Sequence, residues 1–129
     1  MSNAALTRHH YPELGEAVGP YVHATSFQNV LYTSGLTAFE SSTQDKDISQ
    51  QLVTVFDQIE TITRHHNVDL DAIIKVTIFI TDLTTLHQAR DALMKIYGGK
   101  FPASSLVKVD ALFHPDLLVE VEAVIALTE

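Results

Sequence analysis

The sequence predicts an α+β domain with the element order ββαβαββ, and three observations predict it. Residues 101–127, "FPASSLVKVDALFHPDLLVEVEAVIAL", alternate apolar and polar side chains at the two-residue period of β-strands. Residues 45–66 change to a helical period, with Ile48, Leu52, Val55, Phe56, Ile59 and Ile62 on one stripe. Residues 72–80, "AIIKVTIFI", are a dense β-branched run of the kind buried on at least one sheet face.

The elements follow in chain order. Gly19-Pro20 and Gln28-Asn29 punctuate two β-prone pieces, residues 21–25 and 30–34, which predicts a hairpin. Asp45 or Asp47 stands where the N-cap of the first helix belongs. Asp82 can cap a second helix, in which Leu86, Leu93, Ile96 and Tyr97 share a side, and Gly98-Gly99 ends it. The last two strands are residues 104–112 and 117–127, joined across His114-Pro115-Asp116. Both helices then fall on one face of a mixed sheet. With no third helix to cover the other face, a further copy of the chain is the natural cover.

At 129 residues, 46% hydrophobic and 19% charged, the chain has the size and balance of one globular domain. We assign residues 1–129 to it, with 1–10 expected as a flexible N-terminus. The absence of cysteine excludes disulfides, thiolate zinc sites and a cysteine nucleophile. No uncharged apolar run approaches the ~20 residues of a membrane helix, and the N-terminus lacks the pattern of a secretory signal. A soluble, cytoplasmic protein without a membrane partner is expected. The net charge of −8, with the eight Lys and Arg scattered, counts against electrostatic binding of nucleic acid.

Strand alternation puts residues 119, 121, 123, 125 and 127 on one apolar face and Glu120 and Glu122 on the other, about 7 Å apart. On one reading both acids are solvated on an outer sheet face. On another, one borders a subunit cleft and handles protons or holds a polar substrate. The seven histidines suggest no metal. His9-His10 and His65-His66 are adjacent pairs, His23, His87 and His114 are isolated, and no HExxH spacing occurs. "TSG" at residues 33–35 is either a turn or a strand end offering N–H groups to an anion. Nucleophile-elbow, phosphate-loop and dinucleotide motifs do not occur.

Motif by motif, the chain resembles the reactive-intermediate deaminase family (RidA/YjgF, also known as L-PSP endoribonuclease-like). "GPYVHA" (19–24) is similar to the family's Gly-Pro-Tyr-Ser-Gln-Ala, and "LYTSGL" (31–36) to its Val-Phe-x-Ser-Gly-Gln. "IIKVTIFITDL" (73–83) looks like its central strand and helix start. "FPASSLVKVDAL" and "LLVEVEAVIAL" resemble its last two strands, which commonly read Pro-Ala-Arg-Ser-x-Val-x-Val and Val-Glu-Ile-Glu-Ala.

The resemblance implies a chorismate-mutase-like homotrimer with small-molecule clefts between subunits. It implies hydrolysis of enamines or imines without metal or organic cofactor, and a cleft position for Glu120, which would position or activate water. Tyr21, Ser34 and Gly35 match the family's polar lining. The chain also departs from the pattern. Ser104 replaces the Arg that clamps a substrate carboxylate, a loss of roughly 2–4 kcal/mol of charge-assisted binding. Val22, His23, Leu36 and Leu106 replace other polar or thiol positions, and Arg90 stands at an Asn position from which a replacement cation could reach the cleft. Two functions stay open: a hydrolase of altered specificity, and a non-catalytic metabolite-binding trimer. The acidic balance and the lack of a paired-His acid–base site argue against a ribonuclease.

Overall fold

The computed structural model describes residues 5–128. Two helices lie against a six-stranded mixed sheet, so the predicted class holds. The strands are β1 (Thr7–His9), β2 (Ala24–Phe27), β3 (Val30–Thr33), β4 (Ile73–Ile80), β5 (Ala103–Lys108) and β6 (Val119–Ala126). The helices are α1 (Ile48–His65) and α2 (Leu86–Tyr97). Across the sheet the order is β1-β2-β3-β6-β4-β5. Only β4 and β5 run parallel, because α2 forms the crossover between them.

The strongest sequence patterns become the core. In β6, Val119, Val121, Ala123 and Ile125 are buried, while Glu120 is half-buried and Glu122 exposed. The α1 stripe is buried against them. Asp47 is the cap that forms, accepting the Gln50 N–H at 2.9 Å. Asp82 accepts the Thr84 N–H at 2.9 Å and opens a short 3₁₀ turn before α2. Gly98, in left-handed backbone at φ 59°, ends α2. A two-residue turn through Gln28 and Asn29, both at positive φ, closes the β2–β3 hairpin.

Three expectations are corrected. Residues 7–9 are strand β1, paired in register with β2, and Tyr11 beyond it is buried. Residues 1–4 lie outside the described region. His9 Nε2 bonds Ser26 Oγ at 2.8 Å and Tyr11 packs into the core, which holds this segment to the sheet. Tyr21 precedes the hairpin instead of opening it, since Tyr21 N–H turns back to the Gly19 carbonyl at 2.8 Å. The strand expected over 104–112 is β5 and ends at Lys108. β5 and β6 do not pair, because β4 lies between them.

Gln51, fully buried, ties the layers where the β5–β6 connection returns. Its amide N–H groups donate to the carbonyls of Gln44, Lys46 and Asp116 at 2.9–3.1 Å. Its Oε1 accepts the Leu118 N–H at 2.9 Å. A buried amide with every partner made is stabilising and direction-setting, and here it fixes the start of the strand that carries Glu120.

Candidate functional site

Glu120 follows from register. β6 pairs Glu120 with Phe79 and Glu122 with Thr77 on β4, on the sheet face away from the helices. Beside β6, Leu36 and Val121 exchange two backbone hydrogen bonds of 2.8 and 3.0 Å, an isolated bridge that continues past β3. That bridge lays Gly35 against the Glu120 side chain. A Cβ at Gly35 would overlap Glu120 Oε2 and lie 2.7 Å from its Cδ. Glycine is therefore a space requirement of the carboxylate at this position.

Ser34, one residue earlier, donates its hydroxyl to the Val22 carbonyl at 2.6 Å, and its N–H to the His23 carbonyl at 2.9 Å. These bonds hold the 19–22 loop, and with it Tyr21, beside Glu120. Val18, Tyr21, Ser34, Gly35, Phe113 and Glu120 line an open cavity of about 490 Å³. A second cavity, of about 350 Å³, shares Val18, Tyr21, Ser34, Gly35 and Phe113 and extends towards His23 and Gln58. Among the described residues, no Lys or Arg lines either cavity.

Burial holds the Glu120 carboxyl above the usual carboxylate range, and the neighbouring Glu122 charge adds to the shift. A carboxylate so placed is a stronger base than a solvated one, and it faces open space. It could take a proton from water, orient that water, or pair with a cationic ligand. No group of three or more metal-type ligands occurs among the described residues.

The cavity thus gathers Glu120, Tyr21, Ser34 and Gly35 from the predicted set. Two predicted residues lie elsewhere in the chain. Ser104 is exposed on β5, an edge strand separated from β6 by β4, in register with Val76. Arg90 is exposed on α2, in the helix layer on the other side of the sheet from Glu120. Of the departures, His23 is buried and accepts the Tyr11 N–H at 2.9 Å through Nδ1, and Leu36 is buried in the core.

Sequence reasoning missed Val18 and Phe113. Both are apolar and more than half exposed at the cavity wall, at 52% and 58%. Phe113 stands edge-on to Phe39 with centroids 5.0 Å apart. Both sit in irregular segments, where no periodicity marks them. An unpaired aromatic beside His114-Pro115 was the one available signal.

Fold and cavity together define a small α+β protein organised around one half-buried carboxylate. A family model described as Endoribonuclease L-PSP matches residues 12–127, and the chain belongs to that family. The 2-iminobutanoate/2-iminopropanoate deaminase of Escherichia coli is 29% identical over 113 residues, covering 84% of this chain and 88% of its own. The structure of YyfA from Yersinia pestis, of the conserved Rid protein family, is 32% identical with a TM-score of 0.85, covering 95% of this chain and all of its own (100%). Yeast Mmf1 superposes with a TM-score of 0.86 at 25% identity, over 96% of this chain and 100% of its own.

Proposed function

We propose that the chain is a small-molecule hydrolase that deaminates imines, and enamines after tautomerisation, at Glu120. The observation that carries the reading is Glu120 itself, a half-buried carboxylate facing a cavity and kept in place by Gly35. The name of the Escherichia coli relative adds the reaction class. Water attacks the carbon of the protonated imine while Glu120 accepts the water's proton, and the C=N electron pair moves to nitrogen as the C–O bond forms. The carbinolamine then collapses. Glu120 hands the proton it took from water to the carbinolamine nitrogen, then accepts the hydroxyl proton as the C–N bond breaks. A carbonyl compound and ammonia leave, the ammonia carrying that proton away as ammonium. General-base assistance of this kind contributes about 10²–10⁴ in rate. The Tyr21 hydroxyl and the Ser34–Gly35 backbone line the path.

The reading includes a homotrimer in which the clefts lie between copies and the neighbour's β5 brings Ser104. Support comes from the sheet face away from the helices, where Phe27, Tyr32 and Val107 are 42–47% exposed with no covering layer in the chain. Arg90 has no part in this proposal, since it sits in the helix layer. The alternative, a metabolite-binding trimer without catalysis, is favoured by one observation, the lack of a cation in the cavity.

The two part in one assay. An amino-acid oxidase generates 2-imino acids in the presence of semicarbazide, and the rate of adduct formation is followed. Wild type should divert imine from the trap and Glu120→Ala should not. Equal trapping with wild type, Glu120→Ala and no protein would exclude 2-imino acids as substrates. The same null result with an imine that carries no carboxylate would overturn the hydrolase in favour of a binding protein.

A further inference from the structure

We infer that the preferred substrates are imines that carry no carboxylate and present an apolar, ring-sized substituent, the kind formed by oxidising simple amines. The inference rests on the proposed hydrolysis at Glu120 and specifies what that site accepts. Its first ground is charge. Among the described residues, the only carboxylate lining the larger cavity is Glu120, with no Lys or Arg beside it, and the smaller one adds His23 and the carboxylates of Glu13, Glu16 and Glu40. A substrate carboxylate held beside Glu120 would meet a like charge with no cation lining the same cavity, since Arg8 lines only the adjoining space of about 620 Å³ that shares Tyr21 and Ser34. A protonated imine, in contrast, meets Glu120 as an ion pair, and it is the form most open to attack by water.

The second ground is shape and polarity. Val18, Phe113 and the Tyr21 ring line the same cavity as Glu120, and each is about half exposed, at 52%, 58% and 45%. Three such side chains around one opening offer an apolar ligand surface to cover, and Phe113 is held edge-on by Phe39. The neutral Ser104 expected from a neighbouring copy leaves the charge balance unchanged. An upstream amine oxidation would supply the substrate, and the product is an uncharged ketone or aldehyde with ammonia.

The test uses two imines that differ only in the group under question. A flavin amine oxidase makes acetophenone imine from 1-phenylethylamine, and an amino-acid oxidase makes 2-imino-2-phenylacetate from phenylglycine, in which a carboxylate replaces the methyl. Ammonia release above the uncatalysed rate is measured with wild type, Glu120→Ala, Phe113→Ala and Val18→Arg. The expected result is a kcat/KM at least about tenfold higher for acetophenone imine. Phe113→Ala should raise KM for that substrate with little change in kcat, and Val18→Arg should move the preference towards the imino acid. Both positions are exposed, so the variants should fold. A wild type that prefers the imino acid, with Glu120→Ala inactive, overturns this inference and leaves the hydrolase intact. Absence of Glu120-dependent release from either imine overturns both.

Discussion

Glu120 and Gly35 act as a unit, and at this scale the account is most easily broken. The carboxylate occupies the volume where any other residue at 35 would place its Cβ. The clashing atoms are the end of a flexible side chain, so Gly35→Ala should cost little stability, within about 1 kcal/mol, because the carboxylate can swing away. Activity should fall much further, by about 10²-fold, since a base displaced by an ångström loses its alignment. Parallel thermal melts and ammonia-release rates check this. A variant that keeps full activity would show that the position of Glu120 against Gly35 is immaterial.

At the scale of elements, the legible parts of the sequence were those where burial enforces a period. β6 alternates because one face is packed, and α1 carries its stripe because the same core needs it. The site was half legible. Glu120 stood out as an acid in an apolar run, but the wall made by Val18 and Phe113 lies in loops, where long-range contacts alone decide position. Ser104 and Arg90 lay close to the right motifs, yet strand order and the helix layer keep both out of the cavity of their own chain. β1 escaped notice because its anchors are histidines, which composition reads as surface.

Those histidines surround buried Tyr11. Its hydroxyl shares a hydrogen bond of 2.7 Å with His66 Nε2, its N–H donates to His23 Nδ1 at 2.9 Å, and His9 packs edge-on to His66 at 4.9 Å. Burial is the largest cause lowering the affinity of His9, His23 and His66 for protons, with neighbouring histidines adding to it at the latter two. Their folded-state values lie below the ordinary 6.5, so the unfolded chain takes up protons first as pH falls. The stabilisation is therefore complete above about pH 6.5 and is lost below it, down through the folded-state values. Melting temperature should drop between pH 7 and pH 5, and His66→Gln should flatten that drop. A Tm that is constant over this range would refute the assignment of these histidines as neutral anchors.

For the whole molecule, one sheet face carries the helices and the other carries Glu120, Glu122 and exposed Phe27, Tyr32 and Val107. An exposed apolar face of that kind suits a protein partner, and in the proposed homotrimer copies of the chain would cover it. Light scattering coupled to size exclusion should return three times the 14.3 kDa chain mass. A monomer mass at micromolar concentration would remove the cleft between copies, and with it the proposed contribution of Ser104.

The most direct test of the central claim is the turnover number of Glu120→Gln beside wild type, with trimer mass and circular dichroism confirmed equal. Glutamine keeps the shape against Gly35 and removes the base. Ammonia release from whichever imine wild type prefers should fall by about 10²–10⁴. Turnover within a fewfold of wild type would contradict the account, because the half-buried carboxylate would then do no chemistry.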